Sequence, residues 1–305
     1  MKAHLTEKTN TVVTIGTFDG VHIGHQKIIQ RLIEVGKFKD LKPTILTFFP
    51  HPRMVLQKDA NIKLLNTIDE KESIMQIFGL KNLVVEKFTK EFSRLTAKDF
   101  VENILVKKLK VKHVIIGYDH HFGRNRSANI EDLKVFGKEY GFEVESITAQ
   151  DINEVAVSST KIRTALLEGN IKTANSYLGY PFLITGNVVK GKGLGKTICF
   201  PTANIEIKQP YKLIPKQGVY LVKSNINNES VYGMMNIGTN PTFNGKMQTI
   251  EVHFFNFNNN LYNKIIIVEF LKRMRNEKKF ESVNALKKQL LIDKNNALAL
   301  IKTYA

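Results

Sequence analysis

Two histidines stand three residues apart directly behind a glycine-rich turn, in the segment GTFDGVHIGH at residues 16–25. Such a pair can bind a metal, act in catalysis, bind a nucleotide phosphate or lie on an ordinary surface. On a helix, His22 and His25 would share one face, and Gly24 between them would let another group approach the backbone. A strand-to-helix junction offers free N–H groups and a helix dipole that favour an anion. We therefore expect a phosphate site, in which imidazole N–H groups donate to oxygens that gain charge during phosphoryl or nucleotidyl transfer.

A metal site is the weaker interpretation of the same histidine pair. Zinc would need at least one further ligand at a suitable spacing. His51, His120 and His121 are available, but no cysteine or acidic cluster accompanies them in the sequence. We therefore do not expect these histidines to bind a metal.

A second motif supports phosphate binding. The segment SSTKIR at residues 158–163 places Ser158, Ser159 and Thr160 at the expected start of a helix, with Arg163 following. Hydroxyls, backbone donors and a guanidinium together suit a triphosphate. An ordinary helix N-cap is the alternative that the sequence leaves open.

The first part of the chain alternates between strand and helix patterns. Strands are predicted at residues 11–18, 42–49, 82–88, 113–119 and 142–147. Helices are predicted at residues 25–38, 68–80, 97–110, 129–141 and 158–179, the last with a loop around Gly169-Asn170. This alternation indicates a parallel sheet covered by helices, which binds ligands at the carboxyl ends of its strands, near the switch in strand order. The motifs GTFDG, FFPHPR and GYDHHFGRNR each follow a strand, as a shared site requires.

The pattern changes at Tyr180-Pro181. Short alternating segments separated by Gly and Asn turns follow, which predicts an antiparallel barrel or sandwich. A final helix is expected over residues 281–304. We therefore divide the chain into two domains, residues 1–180 and 181–305.

Charge and composition limit the class of protein. The net charge is +17, with +6 in residues 1–180 and +11 in residues 181–305. Basic charge attracts nucleic acid and nucleoside triphosphates alike, but the basic residues are scattered rather than blocked, so we expect no nucleic-acid partner. The single cysteine, Cys199, argues against a disulfide framework. The sequence shows neither a signal peptide nor a long apolar run, so we expect a cytoplasmic protein without a membrane partner.

The segment GKGLGKT at residues 191–197 has only a superficial likeness to a Walker A motif. That motif needs four residues between its glycines, whereas three residues separate Gly191 from Gly195. The following ICFPTANIEI contains Pro201 and is predicted as a strand, where a P-loop would need a helix. We therefore reject a P-loop, although glycines and lysines at the mouth of a barrel can still cover phosphates.

Taken together, the motifs resemble those of a known family. GTFDGVHIGH and the later VSSTKIR are similar to the HxGH and SSTxIR motifs with which the nucleotidyltransferase superfamily holds ATP phosphates. With FFPHPR, GYDHHFGRNR, PTAN and NIGTNPTF, the whole chain resembles bacterial bifunctional riboflavin kinase/FAD synthetase. The family more often has DFRFG where this chain has DHHFG, which leaves Asp119 and Phe122 in register.

This resemblance implies an α/β fold: a Rossmann-like nucleotidyltransferase domain with a parallel sheet, followed by a small antiparallel β-barrel domain with a C-terminal helix. It also implies two reactions. The second domain would phosphorylate riboflavin to FMN with ATP, and the first would adenylylate FMN to FAD with ATP and release pyrophosphate. Riboflavin, FMN, FAD and ATP would be the substrates and products, Mg²⁺ the cofactor, and the protein a monomer or a weak homo-oligomer.

The resemblance further implies roles for individual residues of the first domain. FMN already carries an anionic phosphate, so its adenylylation needs no strong base, and alignment and electrostatic stabilisation would supply most of the rate. His22 and His25 would then be the catalytic residues. The expected ATP-binding residues are Gly16, Phe18, Asp19, His22, His25, Ser158, Ser159, Thr160 and Arg163. The expected FMN-binding residues are Phe49, His51, Pro52, Asp119 and Phe122.

For the second domain the resemblance implies a base and a metal site. The riboflavin hydroxyl gains from a positioned base, and Glu251 in TIEVHFFNF matches the family's base carboxylate. Arg275 matches a family position near the flavin. The expected ATP-binding residues are Gly191, Lys192, Gly195, Thr202 and Asn204, of which Thr202 and Asn204 would also bind Mg²⁺. The alternatives are an outward-facing carboxylate, a structural turn at PTAN and an exposed arginine.

Two other classes of function fit single features of the chain. HIGH is also a motif of class I aminoacyl-tRNA synthetases, but we find no KMSKS-like loop and no helical anticodon-binding domain after residue 180. A non-enzymatic nucleic-acid-binding protein would fit the basic charge and would show a steep dependence of binding on salt. We favour neither class.

Overall fold

The computed structural model of the chain describes residues 9–57, 62–117, 120–147, 157–191, 193–242 and 245–304. The chain forms two compact units, Met1–Val157 and Ser158–Ala305. Each unit has its own sheet, and the antiparallel strands begin at Leu183.

The N-terminal unit is built on a five-stranded sheet with the strand order β3-β2-β1-β4-β5. Every pair of neighbouring strands is parallel. The strands are β1 (Thr11–Ile15), β2 (Lys42–Phe49), β3 (Leu83–Lys87), β4 (Val111–Gly117) and β5 (Glu143–Ile147). The predicted parallel α/β fold is confirmed, although β1 ends at Ile15 and the residues after it form a loop.

Helices connect these strands. They are α1 (Ile23–Lys39), α2 (Pro52–Leu56), α3 (Ile68–Ile77), α4 (Ala97–Phe100) and α5 (Ile130–Tyr140). The sequence predicts one α-helix over residues 97–110, whereas α4 continues as a π-helix over Val101–Lys108. Single 3₁₀ turns are found at Phe92–Arg94 and Arg124–Arg126.

The central strands of this unit are buried on both faces. Every residue of β1 is buried, which is the pattern of a parallel strand covered by helices. Val13 and Ile15 of β1 lie in one hydrophobic cluster with Val114 of β4 and with Phe100 and Leu105 from the helical segment before β4. This packing fixes the carboxyl ends of β1 and β4, where the motifs begin.

The strand order places a switch point between β1 and β4. The chain adds β2 and β3 on one side of β1 and then returns to add β4 and β5 on the other side. In open α/β sheets, ligands bind in the crevice that this reversal leaves at the carboxyl ends of the strands. The GTFDG loop follows β1 and the HHFGRNR segment follows β4, so both motifs flank the crevice.

The described part of the C-terminal unit consists of two helices, a closed barrel with a single-turn helix, and a final helix. The helices are α6 (Ser159–Glu168), α7 (Ile171–Leu178), the single-turn α8 (Leu194–Thr197) and α9 (Val283–Ile301). The barrel strands are β6 (Leu183–Val189), β7 (Ala203–Glu206), β8 (Gly218–Ile226), β9 (Glu229–Thr242), β10 (Gly245–Phe254) and β11 (Ile265–Arg275). They close into a barrel in the order β10-β7-β6-β11-β8-β9. Of the two predicted architectures, the barrel is therefore confirmed and the sandwich is wrong.

Side-chain contacts attach the helices of this unit to its barrel. Asn175 of α7 donates to the carbonyl oxygen of Phe270 and accepts from the N–H of Phe182, each at 2.8 Å. Ala297 of α9 is fully buried in a cluster with Leu221 and Leu271 of the barrel. Among the described residues, no helix combines the length and the apolar character needed to cross a bilayer.

Candidate active sites

The loop after β1 has an unusual backbone. Phe18, Gly20 and Val21 all have positive φ angles, of 46°, 88° and 37°. Only glycine adopts such angles without strain, so the loop depends on its surroundings to keep Phe18 and Val21 in place. A Cβ on Gly16 would lie 2.9 Å from the Phe18 ring. Position 16 therefore needs a residue without a side chain, because the Phe18 ring packs against it.

This loop delivers the two histidines to the start of α1. His22 is the N-cap residue, with extended backbone, and His25 lies in the first turn. Their rings are stacked, with centroids 3.6 Å apart and an interplanar angle of 17°. The Phe18 ring contacts His25 at a centroid distance of 4.8 Å. The prediction that the two histidines share one face is therefore confirmed as a direct ring contact.

Burial keeps both imidazoles neutral. It lowers the pKa of His22 to about 4, against the opposing effect of Asp19. It also lowers the pKa of His25, and the neighbouring His22 and Lys71 lower it further. The buried Nδ1 atoms of both rings lack a hydrogen-bond partner among the residues that the structure describes. Because buried polar atoms normally have partners, the pair is suited to a polar ligand.

Two charged groups tie this loop to the region around the start of α3: Asp19 on the loop and Lys71 on the helix. The Asp19 carboxylate accepts from the N–H groups of Leu65, at 2.9 and 3.2 Å, and Asn66, at 3.3 Å. Lys71 on α3 is 4% exposed and donates to the carbonyl oxygen of Thr17 at 2.6 Å. Lys71 is a residue that the sequence analysis missed, because an isolated lysine in the acidic helix start IDEKES carries no motif.

The expected FMN-binding residues after β2 and β4 have different surroundings. Phe49 ends β2 and is half-buried. His51 is the N-cap of α2, where its Nδ1 accepts from the N–H of Arg53 at 3.2 Å, and Pro52 is the first residue of that helix. Phe122, after β4, is buried in the hydrophobic cluster beside Phe100 at a centroid distance of 5.9 Å. Asp119 lies outside the described residues.

The segment SSTKIR begins α6 in the C-terminal unit. Ser158 is the N-cap residue, and its hydroxyl accepts from the N–H of Lys161 at 3.2 Å. Ser159 and Arg163 are half-buried and Thr160 is exposed. The helix start that the sequence predicts is thus confirmed, and with it the capping contact that the sequence left open as an alternative.

The barrel brings a hydroxyl and a carboxylate together. Thr202 lies just before β7, and its Oγ1 donates to Oε2 of Glu251 on β10 at 3.2 Å. Strands β7 and β10 are antiparallel, and their register sets Asn204 directly opposite Glu251. All three side chains are half-buried. The structure therefore brings Thr202 and Asn204 next to Glu251, which is far from them in sequence. Together they present a hydroxyl, an amide and a carboxylate.

The glycines of the GKGLGKT segment lie against this group. A Cβ on Gly191 would come within 2.1 Å of the Asn204 side-chain amide, and a Cβ on Gly195 within 2.2 Å of the Phe200 carbonyl and 3.4 Å of Thr202 Oγ1. Only glycine permits these close approaches. The single turn α8 lies within this segment. Lys192 lies outside the described residues.

His253 holds the segment that precedes Thr202. It lies two residues after Glu251 on β10, so both side chains point to the same face of the strand. Its Nδ1 is 2.9 Å from the carbonyl oxygen of Pro201, and its ring packs edge-on against Phe200 and Phe255. Burial lowers its pKa, which favours a neutral ring that donates to this carbonyl.

Arg275, the last residue of β11, is fully engaged by protein groups. Its Nε and Nη2 donate to the Asp293 carboxylate of α9 at 2.6 to 3.0 Å, and its Nη1 donates to the Asn276 carbonyl oxygen at 2.9 Å. Asp293 is 2% exposed and also accepts from Gln289. The exposed arginine that the sequence left open as an alternative is therefore wrong, since the side chain joins α9 to the barrel.

The donor types in the barrel can be compared with the needs of a metal. Among the described residues, no group of three or more His, Cys, Asp and Glu side chains is placed to bind a metal ion. Thr202, Asn204 and Glu251 offer a hydroxyl, an amide oxygen and a carboxylate. These hard oxygen ligands fit Mg²⁺, which usually keeps water and substrate phosphate in its remaining positions.

The fold and the two sites define the class of a two-part transferase that acts on nucleotides. Comparison with known families agrees and is more specific. A family model described as FAD synthetase matches residues 4–161, and one described as riboflavin kinase matches residues 178–301. The chain belongs to the family of bifunctional riboflavin kinase/FMN adenylyltransferases.

Individual relatives are similar over almost the whole chain. The bifunctional riboflavin kinase/FMN adenylyltransferase of Buchnera aphidicola is 40% identical over 97% of this chain and 94% of its own length. The Bacillus subtilis protein of the same name is 37% identical over 96% and 93% of the two chains. A crystal structure of a macrolide-efflux protein from Streptococcus pneumoniae has a TM-score of 0.85 and 31% identity, covering 96% of this chain and 95% of that one. That structure supports the fold.

Proposed function

We propose that the chain makes FMN from riboflavin at the barrel site and FAD from FMN at the histidine site, with ATP as the second substrate of both reactions. The functional boundary is placed at residue 180, between domains 1–180 and 181–305. In support, the riboflavin kinase family model begins at residue 178, close to this boundary, although the two compact units divide at Val157/Ser158. The protein is further proposed to be cytoplasmic, a monomer or a weak homo-oligomer, and without a nucleic-acid or membrane partner.

At the histidine site, an oxygen of the FMN phosphate attacks the α-phosphorus of ATP. The bond from that phosphorus to the bridging oxygen breaks, and pyrophosphate leaves with the electron pair. The phosphate nucleophile carries no proton that must be removed at neutral pH. His22 and His25 are neutral at this pH, so they donate N–H hydrogen bonds to the phosphate oxygens without transferring a proton.

Other residues complete the proposed adenylyl-transfer site. Gly16, Phe18 and Asp19 form the loop that places the histidines, and Asp19 acts through its contacts to the chain before α3. The start of α6 contributes ATP-phosphate contacts, where N–H groups favour anions. Those residues are Ser158, Ser159, Thr160 and Arg163. The FMN-binding residues are proposed to be Phe49, His51, Pro52, Asp119 and Phe122.

At the barrel site, the 5′-hydroxyl of riboflavin attacks the γ-phosphorus of ATP. The hydroxyl proton passes to the carboxylate of Glu251, and ADP leaves. A hydroxyl nucleophile needs a base that phosphate does not, and Glu251 is held in place by Thr202. Gly191, Lys192 and Gly195 cover the ATP phosphates beside Thr202 and Asn204, while Arg275 supports the flavin end of the site by fixing α9.

Mg²⁺ is proposed as the cofactor, bound by Thr202 and Asn204 together with ATP. When bound, it would neutralise phosphate charge and orient the γ-phosphate. The protein's own part is to present oxygen ligands from two neighbouring strands in a fixed register.

The hydrogen-bonded pair of Thr202 and Glu251, in a barrel that lacks the histidine motif, is the observation that supports two independent sites most strongly. The test is to incubate the purified chain with riboflavin and Mg·ATP and to separate the flavins by chromatography. Both FMN and FAD are expected. If neither forms, the proposal is wrong, and if FMN forms without FAD, the histidine site does not have the proposed activity.

A further inference from the structure

Lys71 is a buried cation in the N-terminal unit. Its ammonium donates to the Thr17 carbonyl oxygen, to which the Thr47 hydroxyl also donates at 3.2 Å. Burying an ammonium costs free energy, and the Asp19 carboxylate offsets only part of that cost. Apolar side chains of similar volume often replace buried ions without loss of stability. A methionine would fill the same space. The presence of a lysine therefore points to a role other than packing.

The loop above Lys71 needs support from its surroundings. Phe18 and Val21 have left-handed backbone angles, which are strained and persist only where the structure around them fixes them. The Asp19 carboxylate is held by main-chain N–H groups just before α3. The Thr17 carbonyl is held by Lys71 from the first turn of α3. One helix start thus fixes two points of the loop that leads into His22.

The start of α3 is itself well ordered by local hydrogen bonds. Thr67 caps the helix, with its hydroxyl accepting from the N–H of Glu70 and the Glu70 carboxylate accepting from the N–H of Thr67. This reciprocal arrangement is a capping box, which fixes the first turn. Lys71 follows directly, so its side chain extends from a well-fixed helical turn. Its ammonium can therefore fix the position of the Thr17 carbonyl.

We infer that Lys71 is a positioning residue for adenylyl transfer, whose ammonium holds the Thr17 carbonyl and so fixes the loop that places His22 and His25. This inference rests on the proposed function of the histidine pair. Lys71 acts through the loop, and no contact with substrate is required of it.

The charge of Lys71 is sensitive to pH. Burial lowers its pKa to about 8, against the opposing effect of Asp19. Two titratable groups interact electrostatically with it, Asp19 on the loop and His25 on α1, and Glu70 precedes it on its own helix. Because the folded-state pKa lies near 8, the ammonium is present below this pH and is lost as the pH rises through it. Adenylyl transfer is therefore expected to decline above pH 8.

The test compares Lys71→Met with wild type in the full chain, with FMN and Mg·ATP supplied directly. The variant is expected to lose adenylyl transfer at neutral pH by at least about tenfold, and its remaining rate is expected to be independent of pH across the region near 8. Wild-type protection of the β1 amides from hydrogen exchange at neutral pH shows that its N-terminal unit is folded, and a riboflavin kinase rate within about twofold of wild type shows that its C-terminal unit is intact. Thr47→Val is the matched control, because it removes the other hydrogen bond to the same carbonyl without removing a charge. It is expected to keep the wild-type pH profile.

Two results would overturn the inference: a Lys71→Met rate within about twofold of wild type, or an alkaline decline that persists in that variant. His25→Ala, assayed in parallel, separates this failure from failure of the proposed function. If His25→Ala keeps full adenylyl transfer, the role of the histidine pair is wrong. If it loses activity while Lys71→Met does not, only the role of Lys71 is wrong.

Discussion

The hydroxyl of Thr202 donates to the carboxylate of Glu251 across two antiparallel strands of the barrel, with 3.2 Å between the oxygens. This contact orients the carboxylate beside Asn204, its cross-strand neighbour. A base must be positioned before it can accept a proton. Glu251→Gln keeps the shape and the hydrogen bond but removes the base. It is expected to lower FMN formation by about 10²–10⁴-fold, while FMN supplied directly is still converted to FAD.

Chromatography of the flavins measures both effects, in one reaction supplied with riboflavin and in a second supplied with FMN. Glu206→Gln is the matched control, because Glu206 is an exposed carboxylate on β7, two residues from Asn204. It is expected to leave both activities unchanged. Equal loss of both activities in Glu251→Gln would contradict independent sites.

The hydrogen bond between His253 and the Pro201 carbonyl leads to a second prediction. It holds the segment that carries Thr202, so its loss should let that segment move away from ATP. His253→Phe keeps the ring packing against Phe200 and Phe255 but cannot donate. One neutral hydrogen bond is worth about 0.5–1.5 kcal/mol, so KM for ATP in the kinase reaction is expected to rise by a few-fold.

Steady-state kinetics of FMN formation will measure this change, with FAD formation from FMN as the internal control. His253→Asn restores an N–H donor at a similar distance from the main chain. It is expected to recover part of the affinity for ATP. An unchanged KM in His253→Phe would show that the contact with Pro201 does not affect the nucleotide site.

The fold could be predicted from local patterns because its strands are short and distinctive. β1 is buried on both faces and is rich in β-branched residues, so TVVTI indicates a central parallel strand. The residue types at the sites were also informative. His22 and His25 were expected on one face, and they are stacked. The π-helical turn at Val101–Lys108 was not predicted, because periodicity alone does not separate it from an α-helix.

The roles of some residues could not be predicted from the sequence, because they depend on contacts between distant parts of the chain. Lys71 has no motif, and its importance comes only from its bond to Thr17, more than fifty residues away. Arg275 matched a flavin-site position, but its bidentate pairing with Asp293 depends on how α9 packs. Such contacts join residues that no local pattern connects.

The low pKa of His22 leads to a prediction about stability. The unfolded chain binds a proton at His22 near pH 6.5, whereas the folded chain binds it near pH 4. Between these values the unfolded state holds more protons, so the stability of the N-terminal unit falls as the pH falls through this window. The full effect is on the order of 3 kcal/mol.

Hydrogen exchange of the β1 amides in the intact chain, followed from pH 7 down to pH 4, measures this loss. Carboxylates titrate near the lower limit as well, so the comparison is with His22→Asn. This variant is expected to show a shallower loss of protection with falling pH. Identical pH profiles in the two proteins would contradict a buried neutral His22.

The stacked histidines lead to the last prediction, which is the counterpart of the first. His25→Ala removes one N–H donor and leaves His22 without its ring partner, so the stabilisation of charge on the ATP phosphates is reduced. Adenylyl transfer from FMN is expected to fall by about 10²–10³-fold, with riboflavin phosphorylation unchanged. Gln30→Ala, an exposed change on the same helix, is the matched control and is expected to keep both activities. Because both imidazoles are neutral in the free enzyme, titration of His25 should not lower the wild-type rate as the pH rises from 6 to 7. A fall in rate over this range that is absent from His25→Ala would mean that the ring acts as a cation.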